Sequence, residues 1–464
     1  MAKDRHSSRL KFAVVVAVAL VIILIAAAAF WLFRAGAGRL NLLVISIDTL
    51  RADHVSCYGY ERRTTPNIDR LASRGHRFSN AYTSIPTTLP AHASLFTSLY
   101  ATQLSVRRNG EKVSAGATTL AEILAGSGYR TAAFVSAAVL SARYGLDQGF
   151  HEYGDTGRRK ELHAAETLTK AVKWLRNRPK KPFFLFVHFF DPHGPYTPPS
   201  QFSTLFKSQK KHDLPKKLIP GYQRVTDSLD FYDYVDRYDE EIAYSDGAVG
   251  KLLQELQQQG LDENTLVVFL SDHGETLGEL LTRYGYAFEH GEFLYAHQIH
   301  VPVIIREPAQ VGQRKVMVHT RPVSFVDIMP TILDLLDVEM SGPTAGVSLL
   351  PMMRGEKMPD RPIFTERRTF NNTKLPPYAV GEAHSIIENK RHLILSTFPG
   401  TELYDLVEDP SEFTNLSKEQ QTEAEALGDK LRSWQSGLKP LFGPSVFETD
   451  KEALERLRSL GYVE

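Results

Sequence analysis

The sequence predicts an α/β sandwich built on a large, mostly parallel mixed sheet, followed by a smaller C-terminal α+β unit. Three observations predict it. Short apolar runs recur from Leu40 to Ile305, helical patterns separate them, and the spacing changes near residue 345. Buried strands alternating with helices make a parallel sheet covered on both faces. With 464 residues, the chain suits one large domain with an appendage.

The first element is apolar. Residues 12–33 read FAVVVAVALVIILIAAAAFWLF, 22 residues whose one polar group is the indole N–H of Trp31. As a helix they would span about 33 Å, enough for a bilayer core. Lys3, Arg5, Arg9 and Lys11 precede the run, and only Arg34 and Arg39 follow it closely. The positive-inside rule puts tail 1–11 in the cytoplasm and the rest outside. The expectation is a bacterial inner-membrane protein with a single pass (12–33), a linker (34–39) and a periplasmic or extracellular catalytic domain (40–344). The rival reading is a cleaved signal peptide, with Ala35-Gly36-Ala37 as the cleavage site; its apolar region would usually be shorter, about 7–15 residues. The single cysteine, Cys57, can make no internal disulfide, which fits a bacterial protein. Basic and acidic residues balance at 54 each, so no global field points to nucleic acid.

Strands follow in order. Leu40–Ile47, Thr131–Val135, Phe183–Phe189, Thr265–Leu270 and Val301–Ile305 are the apolar runs; Thr119–Gly126, Ala164–Leu175 and Ile242–Gln259 are helical in pattern. The stretch Gln201–Tyr222, rich in Lys, Ser and Pro, reads as a surface insertion. In the C-terminal unit (345–464), strand candidates Pro362–Glu366, Ser385–Ile387, Arg391–Ser396 and Glu402–Asp405 precede a polar helix, Lys418–Trp434.

Chemistry-bearing residues cluster where the strands end, which is where open α/β sheets bind ligands. Asp48 ends the first run. Asp272 and His273 follow Thr265–Leu270. His188 lies within Phe183–Phe189, and Asp191 and His193 follow it. Thr88 precedes a helical run, Ala91–Leu99, with Pro90 at its start; the exposed amides of a helix N-terminus favour an anion. Taken singly each is weak, since aspartate and threonine also cap helices and histidine is often structural. Their order carries the weight.

That order resembles the sulfatase family, of the alkaline phosphatase superfamily, over roughly residues 40–420. The matching segments are Asn41-Leu-Leu-Val-Ile-Ser-Ile-Asp-Thr-Leu-Arg-Ala-Asp-His, Cys57-Tyr-Gly-Tyr, Thr65-Pro-Asn-Ile-Asp-Arg-Leu, Phe78-Ser-Asn-Ala-Tyr, Thr88-Leu-Pro-Ala-His, Asn109-Gly110, Tyr144-Gly-Leu-Asp-Gln-Gly-Phe, Asp191-Pro-His, Ser271-Asp-His-Gly-Glu, His290-Gly291, Val301-Pro-Val-Ile-Ile, Asp327-Ile-Met-Pro-Thr and Leu403-Tyr-Asp-Leu with Asp409-Pro. The resemblance implies an alkaline phosphatase-like sandwich and a metal-dependent ester hydrolase. By it, Asp48, Thr88, Asp272 and His273 would hold the metal. His193 and His290 would contact the transferred group, the leaving group or a second metal. Asn109 would contact substrate, and His188 and Asp191 would support the ligands, bind a second metal, or serve as structural loop residues.

Three departures from the family matter. Its formylglycine motif, Cys/Ser-x-Pro-x-Arg, reads Thr88-Leu-Pro-Ala-His92 here; threonine is not a substrate for that modification. Thr49 stands where a second acidic residue is usual, and His273 where a calcium sulfatase commonly has Asn. Losing a carboxylate and gaining an imidazole favours zinc or manganese over calcium, as one or two ions. The expected activity is cleavage of a phosphate or sulfate ester of a small molecule, lipid or glycan through an unmodified Thr88. The alternatives are true sulfate-ester hydrolysis, transfer of phosphoethanolamine or phosphoglycerol, and a non-catalytic membrane-tethered binding protein.

Overall fold

The structure is a computed structural model, and it describes residues 39–178, 180–224, 226–308, 317–367, 380–446 and 450–459. The residues from Asn41 onward form one compact unit. The predicted tail 1–11, the membrane helix 12–33 and linker residues 34–38 lie outside the described residues. Among the described residues, no helix is long and apolar enough to cross a membrane.

The expected mixed sheet is present. Its nine strands are β1 (Asn41–Ile47), β2 (His76–Tyr82), β3 (Arg130–Phe134), β4 (Glu152–Gly154), β5 (Phe183–Phe189), β6 (Thr265–Ser271), β7 (His300–Arg306), β8 (Met317–His319) and β9 (Val323–Ser324). They lie in the order β4-β3-β5-β1-β6-β7-β2-β8, with β9 also beside β2. β7 is antiparallel to β6 and β2, and the other pairings are parallel. All seven residues of β1, β5 and β6 are buried, as near-continuous apolar strands at the centre of such a sheet must be. β2 escaped the apolar-run reading because His-Arg-Phe-Ser-Asn-Ala-Tyr is largely polar; it has a register shift between Phe78 and Ala81.

Helices cover the sheet: α1 (Pro66–Ala72), α2 (Thr88–Thr97), α3 (Leu120–Gly126), α4 (Ala164–Asn177) and α5 (Phe231–Gln258). Thr119 and Glu122 close a reciprocal capping box at the start of α3. α2 begins earlier than the sequence suggests, and Pro90 is its third residue, tolerated because the first turn needs no internal amide bonds. α5 is longer than its predicted Ile242–Gln259. Its first half buries Asp236, Asp239, Glu240 and Glu241, which break the apolar period. Asp239 is matched by His54 Nδ1 at 2.7 Å, Tyr60 Oη at 2.6 Å and Arg62 at 2.8 Å. The 201–222 stretch is mostly exposed turn, as expected of an insertion.

The second sheet is a four-stranded antiparallel meander: β10 (Ile363–Glu366), β11 (Ala383–Glu388), β12 (Arg391–Ser396) and β13 (Thr401–Asp405). The helix α6 (Gln421–Gly437) packs Leu427 and Leu431 against Ile386, Leu393 and Leu403. Two buried glutamates tie this sheet to the larger one. Glu402 accepts a hydrogen bond from Tyr295 Oη at 3.0 Å, and Glu412 accepts one from the Ala296 amide at 2.5 Å.

Candidate active site

The register fixes the centre of the site. Ile47 pairs with Ser271 of β6 and Phe189 of β5, so the next residues, Asp48 and Asp272, emerge side by side at the carboxyl end of the sheet. The Asp48 amide donates to the Phe189 carbonyl at 2.9 Å. Both aspartates, with His273 and Thr88, are fully buried.

Thr88 is not a helix cap. Thr87 takes that position with extended backbone, and Thr88 is the first residue of α2. Its Oγ1 lies 3.2 Å from His273 Nε2. The His273 Nδ1 lies 2.9 Å from the Gly274 carbonyl; a carbonyl only accepts, so Nδ1 carries the hydrogen and Nε2 presents its lone pair to Thr88. Gly274 is required here, because a Cβ would lie 2.1 Å from the His297 carbonyl oxygen. Asn109 Oδ1 accepts from the Leu89 amide at 3.0 Å and so satisfies one donor in the first turn of α2.

The remaining residues divide cleanly. His188 Nε2 lies 3.4 Å from Asp48 Oδ2. His193 donates from Nδ1 to the Gly194 carbonyl at 2.8 Å, and its ring centre is 5.0 Å from that of His290. His290 in turn has its ring 4.5 Å from His273 and its Nδ1 3.3 Å from Glu275 Oε1. Asp191 is not brought into this group. Its carboxylate accepts from the Ala164 amide at 2.8 Å and faces His163 Nδ1 at 3.3 Å, capping α4.

A cation fits these residues. Asp48, Asp272 and His273 can place ligand atoms within 4.8 Å of one another. Both carboxylate oxygens of Asp48 and Oδ2 of Asp272 are buried without a hydrogen-bond partner. Buried polar atoms are normally satisfied, and two buried carboxylates facing each other need compensating charge. Burial pushes both carboxyls above their ordinary range, and the neighbouring Asp48 charge adds to the effect at Asp272. His92, His188 and Asp272 form a second cluster. Here, however, His92 Nδ1 donates to the Thr88 carbonyl at 2.8 Å and its Nε2 accepts from Ser46 at 3.0 Å, so both ring nitrogens are used. Burial lowers the pKa of His92 and of His188 to about 4, keeping both neutral.

Sequence reasoning did not single out Ser46, Glu275 or the conformation of Thr49. Ser46 was visible as the one hydroxyl in a buried apolar strand, and Glu275 as the end of Asp-His-Gly-Glu. Burial holds the Glu275 carboxyl well above its usual range, and Tyr196 Oη donates to it at 3.2 Å. Thr49 has a left-handed φ of 53°, rare for a β-branched residue, and left no signal. Its amide lies 3.3 Å from Asp272 Oδ1, and its carbonyl accepts from Tyr238 at 2.7 Å.

A family profile described as Sulfatase matches residues 40–338, most of the chain and every residue of this site. The chain belongs to the sulfatase family. The C-terminal profile of N-sulphoglucosamine sulphohydrolase matches residues 285–436, which include the second sheet. Among curated relatives, the Delta 4,5-hexuronate-2-O-sulfatase of Bacteroides thetaiotaomicron is 26% identical over 431 residues, covering 82% of this chain and 85% of that protein. The arylsulfatase of Clostridium perfringens is 25% identical, covering 81% and 90% respectively. The phosphonate monoester hydrolase of Agrobacterium radiobacter has the same fold, with a TM-score of 0.71 at 22% identity over 86% of this chain and 96% of that one. This sulfatase-family member is an ester hydrolase, in a family that is generally metal-dependent.

Proposed function

We propose that this protein cleaves phosphate esters in preference to sulfate esters, with Thr88 as nucleophile and a zinc or manganese ion held by Asp48, Asp272, His273 and Thr88. The observation that carries the reading is the 3.2 Å contact of Thr88 Oγ1 with His273 Nε2, set beside carboxylate oxygens that have no hydrogen-bond partner. A divalent cation bound there supplies the charge that acidifies the hydroxyl and neutralises the ester oxygens. With its proton released to solvent, Thr88 would attack phosphorus in line; its bond to phosphorus forms as the bond to the leaving oxygen breaks. His290, held by Glu275, protonates that oxygen. His193 Nδ1–H is spent on Gly194, so its Nε2 takes the proton of the water that later displaces Thr88.

The preference for phosphorus follows from Thr88 having one hydroxyl. A formylglycine hydrate has a second, which expels sulfate by elimination, whereas a threonine ester must be broken by attack at its own phosphorus or sulfur. The test is kcat/KM for matched aryl phosphate and aryl sulfate substrates with metal supplied. Faster turnover of the sulfate ester overturns the preference. Sulfate-ester cleavage is the second reading, favoured by curated relatives named as sulfatases.

The same proposal includes the anchor. The apolar run 12–33 and its basic N-terminal flank support a single span with the catalytic unit outside the cytoplasm. A reporter fused after Glu464 should be active only outside the cytoplasm, and cytoplasmic activity contradicts the topology.

A further inference from the structure

At the end of the sheet opposite the catalytic residues, a cavity of about 490 Å³ is lined by Asn67 and Arg70 of α1, by Arg74, by Lys251 of α5 and by Arg306 and Asp262. Arg70, Arg74 and Lys251 are exposed. Among the described residues lining the cavity, Asp262 is the one acid, and Arg306 is paired with it. Three cations therefore stand in excess. Arg306 adds a second observation: its side chain is 9% exposed, yet its Nε–H has no acceptor. A buried N–H without a partner is costly and marks a missing acceptor.

The cavity's place in the fold limits what that acceptor is. Arg306 also donates to the Thr265 carbonyl at 3.4 Å, and Thr265 is the register partner of Asn41, the first residue of β1. The cavity thus flanks the point where the chain enters the sheet. Asn41 is eight residues beyond Phe33, the end of the apolar run, a reach of at most about 29 Å for an extended chain. We propose that this cavity binds the phosphate of an anionic phospholipid headgroup. The proposal rests on the anchored reading above: the short linker limits how far the start of β1 can lie from a bilayer, and the excess cations suit an anionic headgroup.

The test uses the full chain in an uncharged detergent, titrated calorimetrically with dihexanoyl-phosphatidylglycerol, dihexanoyl-phosphatidylcholine and inorganic phosphate. Parallel titrations of Thr88→Ala keep turnover out of the signal. Phosphatidylglycerol should bind more tightly than the other two probes. In the double variant Arg74→Glu, Lys251→Glu its affinity should fall on the order of 25-fold, about fivefold per cation, with aryl phosphate hydrolysis unchanged. Equal binding of both lipids, or indifference to charge reversal, overturns the site. Tighter binding of inorganic phosphate than of phosphatidylglycerol overturns the lipid assignment. Alkaline carbonate extraction of membranes tests the anchor separately: release of the chain defeats the anchored reading, while the titrations judge the cavity in either case.

Discussion

Thr88 Oγ1 faces His273 Nε2 at 3.2 Å, and the Gly274 carbonyl on the other side of the imidazole fixes which nitrogen offers the lone pair. One lone pair serves one partner at a time. It can accept the hydroxyl proton or ligate a cation held by Asp48 and Asp272. The two uses make different demands on the protein, so the first predictions concern them.

If Thr88 is the nucleophile, Thr88→Ala removes the covalent step. Ester hydrolysis should fall by roughly three orders of magnitude or more in kcat, with the circular dichroism spectrum unchanged. Thr88→Ser, which keeps the hydroxyl, should retain measurable turnover. Wild-type rates in the alanine variant would reduce Thr88 to a packing residue.

Elemental analysis of the purified protein should find zinc or manganese. His273→Ala should lower metal content and activity together, and a chelator should abolish turnover reversibly. Activity that survives metal removal would instead assign His273 Nε2 as the base for the Thr88 proton.

Asp191 should behave as a helix cap. Asp191→Ala should cost about 1–2 kcal/mol of stability, read as a shift in urea midpoint, while metal content stays at the wild-type level. Loss of metal in a folded Asp191→Ala protein would return this residue to the site.

His384 on β11 titrates away from the proposed metal ligands. Burial, reinforced by Arg107, lowers its pKa to about 4, below the ordinary value of 6.5. A group depressed in the folded state stabilises fully above its unfolded pKa, and that share is lost as pH falls through the folded value. Between pH 6.5 and 4, unfolding therefore takes up one proton at this residue, a slope of about 1.4 kcal/mol per pH unit. His384→Gln should flatten the pH dependence of urea unfolding by that amount in that window, and should change little above pH 7.

The central strands were legible because burial on both faces leaves nothing but apolar residues to read. Phe183–Phe189 was placed to the residue, and the runs around β1 and β6 to within one residue. That Asp48, Thr88, Asp272 and His273 come together was legible for a related reason: each sits just after a strand or at the start of a helix, where the topology leaves one outlet. Asp191 sits in the same kind of position, but its carboxylate turns to the first amide of α4. Both an N-cap and a ligand call for a carboxylate at a strand end, and only the direction of the side chain separates them. Thr49 was illegible because threonine is a poor residue for a left-handed backbone, so composition argued against the conformation it holds. The first half of α5 was missed because its buried acids are satisfied from elsewhere, Asp239 by His54, Tyr60 and Arg62.

The pairing of β1 with β6 also sets a timetable. Asp48 and Thr88 belong to the first hundred residues, whereas Asp272 and His273 belong to a strand made much later. Their register cannot form until the intervening chain, including β5, has been synthesised, and such distant pairings form slowly. A nascent chain thus carries half of the proposed metal site through most of its synthesis. With one carboxylate and no imidazole from β6, that half has little hold on any cation. The choice of ion therefore falls to the compartment in which β6 docks beside β1, so the route by which the protein reaches its destination can decide its metal as much as the ligands do.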